Sequence, residues 1–174
     1  MPSAANVAKP LGEQGYGGRR VLGFKRRFIV FHTILVPTDG SVLAEKAVQA
    51  AAELAKSTHG KIIGLAVAEP YPYSSMADEG VIPDSATNDN DMLALAQTYV
   101  DRIKAAAEQA GVPCETFVSL AVDPATEIID SAARHRCDVV FMASHGRRGI
   151  QKLLLGSVTQ KVMTHSTLPI LVFR

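Results

Sequence analysis

Between positions 28 and 173, short and nearly continuous apolar runs take turns with longer stretches in which apolar residues recur every three or four positions. The short runs fit strands buried on both faces, and the longer pattern fits helices with one buried stripe. Residues 28–36 form the first such run and predict strand one. Over residues 41–57, Ala44, Ala47, Val48, Ala51, Leu54 and Ala55 fall on one helical stripe, with Glu45, Lys46, Gln49 and Glu53 off it, which predicts an amphipathic helix closed by Gly60. Residues 61–68 predict strand two. The nineteen residues 69–87, with Pro70, Pro72, Gly80 and Pro83, make a connection far longer than the usual ~4 to 6 and so predict a functional or floppy loop. Asn88 to Asp91 are expected to cap a second helix whose buried face carries Leu93, Ala96, Val100, Ile103, Ala107 and Ala110, with Gly111 and Pro113 ending it. Residues 115–122 predict strand three. Asp123-Pro124 then supplies an N-cap and a first-turn proline to a third helix with Ile128, Ile129, Ala132 and Ala133 on its stripe. Strand four (138–143), a fourth helix (155–165) and strand five (168–173, with Pro169 at its start) complete the alternation.

Crossovers between parallel strands are right-handed, so this order folds into a three-layer α/β/α sandwich around a five-stranded parallel sheet, a Rossmann-like α/β architecture. Such sheets take ligands at the carboxyl ends of their strands, where the strand order reverses. The chemistry is therefore expected after strands one and four.

At 174 residues and 47% hydrophobic content, one domain with one sizeable core is expected. The 18 basic and 17 acidic residues are not evenly spread. Residues 1–27 carry Lys9, Arg19, Arg20, Lys25, Arg26 and Arg27 against Glu13 alone, so the remainder is mildly acidic and should repel phosphate backbones. No specific nucleic-acid partner is expected. Residues 1–27 are read as a disordered basic extension, a weak anion-binding arm, or translation from a start upstream of the true one, and residues 28–174 as the folded domain. Cys114 and Cys137 make neither a disulfide framework nor a C-x-x-C motif, which fits a reducing cytoplasm. The longest apolar run, residues 28–36, falls well short of the ~20 residues a membrane-spanning helix needs. Arg19-Arg20 resembles a twin-arginine export signal only superficially, because Lys25, Arg26 and Arg27 interrupt the apolar stretch such a signal requires.

Strand one ends in Pro37-Thr38-Asp39-Gly40-Ser41. Asp39 there could hold a ribose hydroxyl or a metal, or could simply cap the first helix together with Ser41. After strand four, Gly146 lets the backbone pass close to a ligand, and Gly156-Ser157 offers N–H groups and a hydroxyl at the positive end of the fourth helix. That is a phosphate cradle in outline, or only a turn. No G-x-x-x-x-G-K-[ST] occurs, and the clustered Gly15, Gly17 and Gly18 lie in the tail, so P-loop phosphoryl transfer is disfavoured. His32 is expected inside the sheet, and His59 and His165 near helix ends. His145 has no evident carboxylate or nucleophile partner, and Ser144 and Ser157 no adjacent base. Both cysteines are expected to be buried, inert thiols. Arg147, Arg148 and Lys152 either steer a triphosphate or form a solvated loop.

Over residues 28–174 the chain resembles the universal stress protein family. The resemblance is carried by His32-Thr33-Ile34-Leu35-Val36-Pro37-Thr38-Asp39-Gly40-Ser41, by Met142-Ala143-Ser144-His145-Gly146-Arg147, and by Leu155-Gly156-Ser157-Val158-Thr159-Gln160-Lys161-Val162 leading to Leu168-Pro169-Ile170-Leu171-Val172. ATP-binding members show G-x2-G-x9-G-[ST], where this chain reads Ala143-x2-Gly146-x9-Gly156-Ser157. Alanine for the first glycine adds one methyl group, harmless if φ is negative there, and binding is expected to survive. The resemblance implies a sheet ordered 3-2-1-4-5, a homodimer through the fifth strand, and ATP lying across strands one and four with Mg²⁺ bridging its phosphates. It places Asp39 at the ribose or adenine side and the Val67 backbone at the adenine, and wraps the phosphates with Gly146, Arg147, Gly156, Ser157 and Val158. Pro37, Thr38, Met142, Ala143, Ser144, His145 and Thr159 complete the implied nucleotide site. It implies a cytoplasmic, nucleotide-dependent stress sensor or regulatory module with an unknown protein partner and at most slow ATP hydrolysis or autophosphorylation. A dimeric interaction protein of the same fold that binds no nucleotide, and an ATP-hydrolysing or phosphotransfer enzyme, are the alternatives.

Overall fold

The computed structural model describes residues 31–70, 85–147 and 155–174. The basic tail, most of the long 69–87 connection, and Arg148 and Lys152 lie outside the described residues. Among the described residues five strands and four helices alternate: β1 (Thr33–Thr38), α1 (Val42–Thr58), β2 (Lys61–Ala68), α2 (Ser85–Ala110), β3 (Cys114–Leu120), α3 (Pro124–Arg134), β4 (Val139–Ala143), α4 (Ser157–His165) and β5 (Ile170–Phe173). The strands form one parallel sheet in the order β3-β2-β1-β4-β5, as expected.

Alternate residues of a strand point to opposite faces, and both faces here are apolar. Ile34 and Val36 of β1, with Ile62, Val139 and Phe141, join the alanine stripe of α1 and Ile103, Ala106 and Ala107 of α2 on one face. Leu35, Ile63, Leu65, Val140 and Met142 meet Ala125, Ile128 and Ala132 of α3 and Val162 of α4 on the other. Ile34, Leu35 and Val36 are wholly inaccessible to solvent, so β1 is the strand that both layers share.

The element ends depart from expectation in instructive ways. The left-handed residue that stops α1 is His59 (φ 52°), not Gly60; Gly60 is required for space, since a Cβ there would fall 2.6 Å from the His32 carbonyl oxygen. Helix α2 starts at Ser85, which puts Asn88 to Asp91 inside the helix instead of at its cap. Helix α4 starts at Ser157, with Gly156 in the N-cap position. At α3, Asp123 occupies the N-cap position ahead of Pro124, but its carboxylate turns chiefly to side chains, accepting from Lys161 Nζ and Thr126 Oγ1, each at 2.5 Å. The lysine above all, then the threonine, holds the Asp123 carboxyl down at about 2. His32 is exposed ahead of β1 and not inside the sheet, its N–H donating to Asp138 Oδ2 at 2.9 Å.

β1 runs on to Thr38, two residues past its expected end, and this extension shapes the crevice. It stays paired with β2 through Thr38–Ala66, whereas its pairing with β4 stops at Leu35–Val140. The Thr33 carbonyl accepts from Asp138, so odd-numbered residues of β1 face β4. Pro37 falls on that side and has no N–H to give. The two strands part there, and a gap opens at the carboxyl end of the sheet. Among the described residues, no helix is long and apolar enough to cross a membrane.

Candidate functional site

The gap is spanned by Asp39. Its Oδ1 accepts the Ser41 N–H at 3.1 Å and its Oδ2 the Arg147 N–H at 2.7 Å. Ser41, whose Oγ accepts from Ala44 N at 3.2 Å, is the residue that caps α1. Of the two sequence readings of Asp39, neither is complete: the carboxylate ties the loop after β1 to the loop after β4. Gly146 makes this possible, because a Cβ on it would lie 2.3 Å from Asp39 Oδ2. Gly40 turns the chain with φ 73°, its N–H donating to Thr38 Oγ1 at 3.1 Å.

On the β4 side the expected ring of free amides is smaller than the motif suggested. The Gly156 N–H donates to the Ser144 carbonyl at 2.8 Å, and the Arg147 N–H is taken by Asp39. No side chain caps α4, so the N–H groups of Ser157 and Val158 in its first turn have no acceptor among the described residues. These are the donors left for an anion, at the positive end of the helix. Gly156 must be small for a second reason, since its Cβ would sit 3.2 Å from His145 Cα. A cavity of about 340 Å³ opens between the α1 N-terminus and this loop, lined by Ser41, Val42, Leu43, Lys46, His145 and Gly146. Another of about 420 Å³ lies on the opposite side of Gly40, between α1 and α2.

Two of the expected contributors turn their side chains into the fold. Met142 is buried in the core against α3 and α4, and the Thr159 hydroxyl donates to the Ala143 carbonyl at 3.0 Å. Pro37, Thr38, Asp39, Ser144, His145 and Gly146 do gather around the gap. Val67 reaches it through its backbone: Ile62 N donates to Pro113 O and Ala121 N to Ala68 O, so even-numbered residues of β2 face β3 and Val67 faces β1. Its carbonyl lies beyond the Thr38–Ala66 pair that ends the β1 ladder. Ser144, expected to lack an adjacent base, has His145 Nδ1 3.1 Å from its Oγ. Ser144 is buried, and no carboxylate orients His145 among the described residues, so the pair is not a nucleophile and base poised for attack.

Sequence reading missed Tyr99 and Arg102 of α2. The Tyr99 hydroxyl accepts from Arg147 Nη1 at 2.9 Å, and its ring lies under the guanidinium carbons of Arg147 (5.3 Å) and Arg102 (5.8 Å). An aromatic residue beside the small-residue stripe of a helix leading toward the crevice was the available signal. Burial pushes the thiols of buried Cys137 and half-buried Cys114 up to about 11, so both are neutral at pH 7. No group of three or more His, Cys, Asp or Glu residues suited to a metal occurs among the described residues.

Comparison with known proteins agrees with this geometry. A profile of the universal stress protein family matches residues 31–174. Universal stress protein MJ0531 of Methanocaldococcus jannaschii is 28% identical over 148 residues, covering 83% of this chain and 83% of its own. The solved structure of MJ0577 from the same organism is 27% identical, covers 83% of this chain and 96% of that one, and superposes with a TM-score of 0.70. The universal stress protein from Archaeoglobus fulgidus in complex with dAMP shares the fold at 20% identity, with 83% and 99% coverage and a TM-score of 0.54. With the match running to the last residue and the sheet ordered as the motifs implied, the chain belongs to the universal stress protein family.

Proposed function

We propose that the chain is an ATP-binding regulatory module whose nucleotide lies across the gap between β1 and β4. The observation that carries this is the meeting, at one opening in the sheet, of the Asp39 carboxylate, the Gly146 backbone and the uncapped first turn of α4. Phosphate favours such a helix start for both its free N–H groups and its dipole. Asp39 and the Val67 carbonyl would serve the ribose and the adenine. Ala143 does not disturb this. It is not among the residues with positive φ, and it pairs with Phe173 as an ordinary strand residue. That a relative was solved with dAMP supports the choice of an adenine nucleotide. Mg²⁺ would arrive with the nucleotide and be held mainly by phosphate oxygens, the Ser157 hydroxyl being the nearest hard donor at the uncapped helix start. Among the described residues no base stands ready to activate water, which argues for occupancy, not turnover, as the signal.

The competing reading, an interaction protein that binds no nucleotide, is favoured by the Gly156 and Arg147 amides already being bonded within the chain. Equilibrium dialysis with labelled ATP separates the two. Ser157→Asp places a negative charge where the helix dipole welcomes it, so the fold is kept while phosphate is repelled. Wild type should retain ATP and the variant about tenfold less. Equal and negligible retention by both eliminates the nucleotide site.

A homodimer through β5 belongs to the same proposal. Pro169 and Phe173 turn their carbonyls to β4, so the N–H and C=O groups of Ile170 and Val172 point away from the sheet at its edge. Val172→Pro deletes one outward donor and leaves the β4 ladder intact. Sedimentation equilibrium should show a wild-type dimer and a largely monomeric variant. A wild type that stays monomeric at about 100 μM, where an interface of ordinary affinity is saturated, removes the dimer.

A further inference from the structure

We infer that Tyr99 is a positioning residue which parks the Arg147 guanidinium on the α2 side of β1, away from the α4 N-terminus, and so sets how tightly the crevice holds the phosphate end of a nucleotide. The inference rests on the nucleotide reading above and names a control on that same site.

Arg147 is anchored at both ends by different elements. Its N–H donates to Asp39 Oδ2 at 2.7 Å, while Nη1 donates to the Tyr99 hydroxyl at 2.9 Å and the guanidinium carbon stands 5.3 Å from the ring centroid. Tyr99 is itself held firmly. A Cβ on Gly40 would fall 2.3 Å from its Cε1, so the ring lies flush against that glycine, and it packs on the apolar cluster of Ala66, Ala68, Ala96 and Val100. Arg102 shares the ring at 5.8 Å but is paired with Glu45, and among the described residues only Arg147 reaches the hydroxyl.

The helices α1 and α2 cover one face of the sheet, and α3 and α4 the other. Tyr99 and Ser157 therefore flank the crevice from opposite faces, and a guanidinium bonded to the phenol is one withheld from α4. A phosphate chain on the uncapped first turn of α4 competes with Tyr99 for this cation. A hydrogen bond from a charged donor is worth enough to matter in that competition even after partial exposure to solvent. Each added phosphate charge draws harder on the cation, so the cost of breaking the latch falls chiefly on the triphosphate and hardly at all on adenosine, which leaves Arg147 where it is. Release of Arg147 also uncovers the Tyr99 ring beside the 420 Å³ cavity lined by Gln49, Glu45 and Arg102, which links occupancy of the site to a change on the α1 and α2 face.

The test is calorimetric titration of adenosine, AMP and ATP into wild type, Tyr99→Phe, Arg147→Met and the double variant, with thermal melting as a check on folding. Tyr99→Phe keeps the ring on Gly40 and loses only the acceptor. It should bind ATP about three- to tenfold more tightly than wild type, with a steeper salt dependence, and leave adenosine within about twofold. In the Arg147→Met background the same change should gain nothing. An unchanged or weaker ATP affinity in Tyr99→Phe, or an equal gain without Arg147, overturns the latch while the nucleotide site stands. A wild type that binds neither ATP nor adenosine overturns the nucleotide site and the latch with it.

Discussion

Gly146→Val should cut ATP retention by about ten- to a hundredfold in a protein that still folds. The new Cβ would lie 2.3 Å from Asp39 Oδ2, closer than a real Cβ contact comes, and 3.1 Å from its Cγ. The carboxylate has to leave, and with it go the Arg147 N–H bond that holds the two loops together and the Ser41 N–H bond that fixes the carboxylate within its own loop. Charge-assisted hydrogen bonds of this kind contribute about 1.5 to 3 kcal/mol each, and loss of one on the bound side gives the stated factor. Gly146 and Arg147 are exposed and Asp39 is only partly buried, so water replaces much of what those bonds gave the fold and the cost to stability should stay within about 3 kcal/mol. Dialysis with labelled ATP, read beside a melting curve, checks both halves. Retention within twofold of wild type would take Asp39 out of the nucleotide site.

The largest effect on stability is expected at Leu35→Ala, a loss of about 4 kcal/mol, within the 2 to 5 that such truncations cost. Leu35 is wholly buried in the central strand and meets α3 and α4 through the cluster that includes Ile128 and Val162. Both neighbouring strands hold its backbone in register, at Ile63 and Val140, so the surroundings cannot close on the cavity. The melting temperature should fall by about 8 to 16 °C. A fall under about 3 °C would mean that β1 is not the shared core of the two layers.

The alternation of strands and helices was legible because every strand is flanked by helices with a strict apolar stripe, and because crossover handedness leaves few topologies. The strand order itself was only implied by the motifs after strands one and four. The ends were harder. At α1 the left-handed role went to His59 because Gly60 was already committed to the close approach of the His32 carbonyl, a tertiary constraint that no local pattern contains. The place of Asp39 in the crevice followed from its position after a buried strand, but its bond to Arg147 joins residues 108 positions apart and could not be read from either segment alone. Gly146 was read as making room for a ligand and Gly156 as offering a free amide, whereas the structure gives the space at Gly146 to Asp39 and the Gly156 N–H to the Ser144 carbonyl. Tyr99 was overlooked since α2 looks like any small-residue stripe until the helix is laid beside Gly40.

Pro37 gives this member of the family a doorway that is written into covalent chemistry. Because the ring nitrogen has no hydrogen to offer β4, the two central strands do not zip together past Leu35–Val140, and the port between them stands open. For the nucleotide proposed above, arrival should accordingly be governed by the rate of collision in solution, with no prior peeling apart of the sheet to slow it.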